Sequence, residues 1–530
     1  MAKKKSDTDQ SDTSKKSFKP ETLDRTVIAL PLLEKLNEEM ENPSDEHEVF
    51  PVIIDLNLEY PGGLNLAREW VIKTTERIIG KAESESENAR EGINYFKSDF
   101  SQQYLFAALE GETIRKLVNR DSLLEDDTKG QAAQGRSLPH AIYHIWPDFE
   151  IRTLINKSIS TVKADAAQTS FSAYGEGIVW AVIDSGIDGS HPHFLANENL
   201  EHNETLVHKD FTRLGPKSVD ALKDDPSALK DAFGHGTHVA GIIAGELEIS
   251  EEGKKKGEKI RAYSRQRDEK GNVNYNPLPI TSISGMAPRC KLLSLKVLDD
   301  EGKGAVSNII AAIALIQQIN GYGRRLLIHG VNLSVGYDFD PEWFACGQSP
   351  LCVEVDRLVR SGVVVVVAAG NTGYGTIETQ FNSFVSAGMD LTINDPGNAE
   401  LAITVGSTHK DMPHVYGVSY FSSKGPTGDG RAKPDLVAPG EKIISCASGK
   451  QLKEMQEKKL ECDYVEESGT SMAAPHVSGA IAAFLSIRKE FVGRPDKVKE
   501  IFLSTATDLK RERYFQGYGL VDLMRAIQSV

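Results

Sequence analysis

At 530 residues the chain is long enough for one large single-core domain with a smaller unit beside it, since single cores stop growing near ~250 to 300 residues. Apolar residues at 40% and charged residues at 26% are ordinary globular values, and no run reaches the ~18 uninterrupted apolar residues of a membrane helix, so no membrane partner is expected. The net charge of −15 argues against a nucleic-acid partner, whose footprint needs Lys and Arg clustered on one face.

Residues 1–47 read as a polar tail with one short helical pattern near Pro31 to Glu41. Lysines open it but no apolar h-region follows, so export by a signal peptide is not expected and a cytoplasmic setting is. The five cysteines, Cys290, Cys346, Cys352, Cys446 and Cys462, are an odd, sparse set that suits reduced thiols. Cys346 and Cys352 flank GQSPL; either they close a small loop or they are unrelated thiols, and spacing leaves both open.

Residues 48–160 read as a small two-layer α/β domain. A strand run FPVIIDLNLEY is followed by a helix NLAREWVIKTTERII, a strand YLFAAL, a helix GETIRKLVNRDSLLE and a strand-like IYHIWPDFEIRTL. Residues 161–530 read as a larger α/β domain. IVWAVID and GVVVVVAAGN are continuous apolar runs, as in a parallel sheet covered on both faces. Helical segments such as GTHVAGIIAGELE and VSNIIAAIALIQQIN alternate with them, giving a doubly wound, mostly parallel sheet. Its ligands are expected beyond the carboxyl ends of the strands. A charged insertion at about 249–275 shows no hydrophobic face and reads as a solvated loop.

The chemistry-bearing residues follow the apolar runs. Asp184 ends AVID before Ser-Gly, a place where Asp is ordinarily a turn residue, as Asp188 is read to be. His235 opens the helix of GHGTHVAG. Metal binding by His235 with His238 is the rival reading, but no HExxH pattern and no third ligand accompany it, and His238 reads as a packed core histidine. Ser471 lies in GTSMAAPHVSG at the start of an apolar helix, where free backbone NH groups and the macrodipole favour developing negative charge. A mere helix cap by Thr470 or Ser471 is the bland alternative, and His476 reads as structural. Asn371 ends VVVVVAAGN, where Gly-Asn after a strand is ordinarily a turn; the alternative expectation is that its amide faces the same crevice as Ser471 and donates to an oxyanion.

Together AVIDSGID, GHGTHVAG, VNLSVG, VVVAAGN, FSSKGP with KPDLVAPG, and GTSMAAPHVSG resemble the subtilisin family of serine peptidases, in the family's order across residues 178 to 530. The resemblance implies Asp184, His235 and Ser471 as a catalytic triad and Asn371 as the oxyanion donor. It implies substrate pairing along Asn332, Leu333, Ser334, Val335 and Gly336, and opposite them along Gly302, Lys303 and Gly304. Asn394 resembles a specificity-pocket residue. It further implies that residues 48–160 are an inhibitory propeptide, with FEIRTLINKS in the cleft and a cut between about Leu154 and Lys163. Protein or peptide segments are the expected substrates, and the N-terminal domain the expected intramolecular inhibitor. No cofactor is required by the sequence and no metal ligand is assigned. His193 stands where many relatives carry an Asp that helps bind calcium, so calcium is left unsupported. A silent peptide-binding protein on the same fold and an exopeptidase are the alternatives.

Overall fold

The computed structural model describes residues 27–28, 30–41, 48–80, 91–98, 101, 103–122, 140–147, 157–202, 205–212, 223–267, 273–339, 345–378 and 384–530. The chain divides into two compact units, Met1–Thr153 and Leu154–Val530.

In the first unit, α1 (Leu30–Glu41) precedes β1 (Val49–Leu56), α2 (Leu64–Ile79), β2 (Gly92–Ile93), β3 (Tyr104–Glu110), α3 (Gly111–Ser122) and β4 (Ile142–Pro147). The strands form a sheet in the order β2-β3-β1-β4, each pair antiparallel. Alternate residues of β1 and β3, among them Val52, Ile54, Leu105 and Leu109, meet Val71 of α2 and Leu117 of α3 in one core, the period-2 pattern of a sheet with one covered face.

The second unit opens with α4 (Lys157–Thr161) and α5 (Ala164–Phe171), then β5 (Val179–Asp184), β6 (Lys209–Asp210), α6 (His235–Ile243) and the short α7 (Glu251–Lys255). It continues with β7 (Ile260–Arg267), β8 (Val273–Ile280), β9 (Lys291–Lys296), α8 (Val306–Ile319), β10 (Gly330–Leu333), α9 (Pro350–Arg360), β11 (Val364–Ala368), β12 (Ile403–His409), β13 (Leu436–Glu441), β14 (Ile443–Cys446), α10 (Gly449–Glu457), β15 (Tyr464–Glu467) and α11 (Thr470–Ile487). Seven strands make one sheet in the order β13-β12-β11-β10-β5-β9-β6, and every pair in it is parallel. Successive residues serve opposite faces. Trp180, Val182, Val364 and Val366 face α6 and α11, while Ala181, Ile183, Val365 and Val367 face α8 and α9. Burial on both sides is why these strands read as unbroken apolar runs. After β5, β6 and β9 lie on one side of it and β10 to β13 on the other. The direction of winding therefore reverses beside β5, where such sheets open a crevice at the carboxyl ends. The core helix α11 is long and apolar enough to cross a membrane by composition, but 83% of it is buried in this unit.

Two sequence expectations change. The second unit incorporates residues before 161: Ile159 of α4 joins Val162, Ala164 and Ala167 in the core, Lys163 pairs with Asp522, and Leu523 N donates to Val162 O at 3.1 Å. The charged insertion is also not a plain loop. It forms α7 and the antiparallel hairpin β7–β8, and β7 pairs in parallel with β15, extending a four-stranded sheet of order β14-β15-β7-β8. Ile260 and Ala262 are buried, and Tyr263 and Tyr275 pack around Met455 and Val465. An apolar face was present, diluted by the charged residues that alternate with it.

Candidate active site

Asp184 is the last residue of β5 and is 1% exposed. Its Oδ1 accepts from His235 Nδ1 at 2.8 Å and from the Ser185 amide at 2.7 Å. His235 is the first residue of α6, and two local features bring it there. Gly234 takes φ 97°, a left-handed conformation that glycine adopts without strain. Gly236 lets α6 approach β5, since a Cβ on it would stand 2.2 Å from Gly186 O. The buried Asp231 then ties the helix down. It accepts from Gly234 N at 2.7 Å, Thr237 N at 2.9 Å, Thr237 Oγ1 at 2.7 Å and Ser185 Oγ at 2.9 Å. Burial disfavours the imidazolium of His235, but the charge and hydrogen bond of Asp184, with Asp231 and Glu467 beyond, outweigh it and hold its pKa above the ordinary 6.5. Fixing Nδ1–H against Asp184 leaves Nε2 as the basic nitrogen.

Ser471 is the second residue of α11. Its hydroxyl donates to Ser334 O at 3.0 Å, and Ser334 Oγ donates back to Ser471 O at 2.9 Å. Ser334 Oγ accepts from Asn332 Nδ2 at 2.9 Å, and Asn332 Oδ1 accepts from Ser478 Oγ at 2.8 Å. This chain of bonds locks α11 to β10. Asn371 follows β11, and its Oδ1 accepts from Thr470 N at 2.9 Å and Thr470 Oγ1 at 3.1 Å. Because an NH faces that oxygen, the other end of the amide is the NH₂ donor.

Two cavities meet at these residues. One, of 330 Å³, is lined by His235, Asn371, Ser471, Arg265, Lys450 and Glu467 among others. The other, of 380 Å³, shares His235, Asn371 and Ser471 and adds Gly302, Ser334, Val335, Gly336 and Asn394. Asn332 and Leu333 are fully buried in β10, where they hold the strand rather than line a cavity. Lys303 and Gly304 are not among the lining residues either. Lys303 is ion-paired with Glu301 at 2.9 Å, and Gly304 packs under Val297. Asp188 accepts from Ser190 N at 3.0 Å, as a turn residue does.

The other histidines singled out in the sequence, His238, His193 and His476, are occupied by packing. His238 Nε2 faces Val465 O at 3.1 Å, and burial pushes its pKa down to about 3. His193 lies between Tyr464 OH at 3.1 Å and Gly241 O at 3.2 Å, and burial beside His191 takes it to about 3. His476 bonds Met472 O at 2.8 Å, and its pKa falls to about 4 through burial. Among the described residues no group of three or more His, Cys, Asp or Glu converges to hold a metal.

The cleft thus offers a hydroxyl at a helix start, a base of defined tautomer and an oriented amide donor. The subtilase family model matches residues 175–520, well over half of the chain. The chain belongs to the subtilase family. Similar proteins include serine protease AprX of Bacillus subtilis, 28% identical over 387 residues that cover 71% of this chain and 72% of AprX. The major intracellular serine protease of Bacillus subtilis is 31% identical over 330 residues, 62% of this chain and 74% of that protein. Pyrolysin of Pyrococcus furiosus is 30% identical over 328 residues, which are 56% of this chain but 21% of pyrolysin. This subtilase is a serine-type hydrolase. Sequence reasoning missed two residues of its site. Asp231 was legible as a potential cap four positions before His235, whereas nothing local marks Thr470 as the group that orients Asn371.

Proposed function

We propose that this subtilase is an endopeptidase that cleaves extended protein segments through an acyl-enzyme on Ser471. The supporting observation is the bond between His235 Nδ1 and Asp184 Oδ1 in a cleft that also holds Ser471 and Asn371. Substrate binding turns the Ser471 hydroxyl from Ser334 O toward His235 Nε2, in keeping with the way catalytic hydrogen bonds tighten in the Michaelis complex. As Oγ attacks the scissile carbonyl, its proton passes to Nε2 and Asp184 stabilises the imidazolium. Asn371 Nδ2 and the Ser471 amide hold the oxyanion. The C–N bond then breaks and the amine leaves with the proton from Nε2. A water repeats the sequence on the ester and releases the acid. Ser334, Val335 and Gly336 on one wall and Gly302 on the other receive the substrate as an added strand.

The cleft test is product analysis on a long unfolded protein: internal fragments are expected, and stepwise loss from one terminus would convert the reading to an exopeptidase. The sign of the pH dependence follows from His235. The active base is the neutral imidazole, and its neighbours raise its pKa. kcat/KM on a non-titrating peptide is therefore expected to be lost as pH falls through a value above 6.5. A profile flat from pH 8 to pH 5 would contradict the role of His235.

The first unit is proposed as an intramolecular inhibitor removed by self-cleavage, on the order of its elements. Of FEIRTLINKS, Phe149–Asn156 lies outside the described residues, and its last two residues begin α4. A cut beyond Lys157 would sever structure packed into the second unit, which leaves Leu154–Asn156 as the compatible part of the expected window. Intact-mass measurement of active protein is expected to show a chain starting there; full activity with residues 1–153 still attached would refute the zymogen. The five cysteines are free, which supports a reducing, cytoplasmic setting.

A further inference from the structure

The insertion hairpin delivers Arg265 to the cleft. Arg265 of β7 and Glu467 of β15 lie on neighbouring strands, and Arg265 Nη1 stands 3.6 Å from Glu467 Oε2. Both line the 330 Å³ cavity that contains His235 and Ser471. β15 runs straight into the Ser468–Gly469 segment that leads to Ser471, which places Glu467 near the nucleophile along the chain. Its remaining contact is weak, from Gln451 Nε2 at 3.5 Å.

We propose that Arg265 is a positioning residue for the peptidase reaction: by pairing with Glu467 it offsets part of the charge of a carboxylate that shares a cavity with the His235 imidazole. The inference rests on the peptidase reading above. The charges facing His235 come from each element around it. Asp184 ends β5, Asp231 precedes α6, Glu467 ends β15, and Lys450 and Glu454 of α10 share the cavity. On its own helix His238 is neutral. Asp184 is needed to orient the ring and Asp231 is tied up by Ser185, Gly234 and Thr237. Glu467 has no such task. Burial pushes its carboxyl upward and Arg265 opposes that. Left unpaired, it would stabilise the imidazolium and remove neutral base at a given pH. The insertion is thereby tied to catalysis although it contributes no reacting group.

The test is the acid limb of kcat/KM against pH on a peptide without titratable groups. Arg265→Gln is expected to move the limb up by roughly half a pH unit, and Glu467→Gln to move it down by about as much. The double variant returns it to near the wild-type position, because the net charge added to the cavity is again zero. Arg265→Lys, which keeps the charge, stays near wild type, and added salt shrinks both displacements. Limbs that coincide in all variants, with activity scaled equally at every pH, would show a purely structural hairpin and overturn the proposal while leaving the peptidase reading intact. Arg265→Lys shifted as far as Arg265→Gln would overturn it as well. Wild type inactive at every pH would remove the peptidase reading and this inference with it.

Discussion

Ser471→Ala is expected to lower turnover by on the order of 10⁶, and His235→Ala by a similar factor, as such losses run in subtilisin-type triads. The argument is one of shared function. Without the hydroxyl no ester forms, and without Nε2 the hydroxyl keeps its proton at the moment of attack, so either deletion abolishes the same covalent route. The losses are therefore not additive: the variant lacking both is expected to be no slower than either alone, its residual rate being what Asn371 and the Ser471 amide still supply. The fold should tolerate the serine change. Ser471 Oγ makes one hydrogen bond, to Ser334 O, whereas α11 is held by its buried face and by the Ser334 Oγ bond to Ser471 O. Stopped assays with unchanged thermal midpoints are the appropriate check, and losses that multiply would mean the two groups act independently.

Asn371→Leu is expected to cost roughly 10²- to 10³-fold in kcat, the loss met in subtilisin-type enzymes when a single oxyanion donor is removed. KM should change little, because the amide meets an oxygen that carries full charge only in the transition state. The same substitution removes the acceptor of Thr470 N. A fault transmitted through Thr470 would misplace the start of α11 and raise KM together with lowering kcat. The split between the two constants therefore separates loss of the donor from distortion of the helix.

The sheet was legible because burial on both faces writes itself into sequence as unbroken apolar runs, VWAVID in β5 and VVVVA in β11. The positions of Asp184 and Asn371 follow from those runs, Asp184 as the last residue of β5 and Asn371 just past the carboxyl end of β11. His235 and Ser471 were legible through their glycine-rich settings, and Gly236 gives the physical reason: the approach of α6 to Gly186 leaves no room for a Cβ. The insertion was not legible. Its strand β7 is paired with β15, about two hundred residues later in the chain. The apolar side of that pairing, Ile260 and Ala262, is interleaved with Arg261 and Arg265. The start of the second unit was misread for a related reason. α4 is short, and its burial depends on a partner near Leu523 that no local pattern announces. Of the stretch Asn332 to Gly336 the carboxyl-terminal part, Ser334 to Gly336, lines the cavity, while Asn332 and Leu333 are buried within β10.

Covalent labelling with a fluorophosphonate, followed by peptide mapping, tests the central claim most directly, because it reports which oxygen is nucleophilic and whether His235 makes it so. The account predicts a single adduct on Ser471, formed at a rate that falls with pH along the same acid limb as hydrolysis, nearly abolished by His235→Ala and absent from Ser471→Ala. An adduct on a different residue, or labelling of Ser471 that proceeds equally fast without His235, would contradict it.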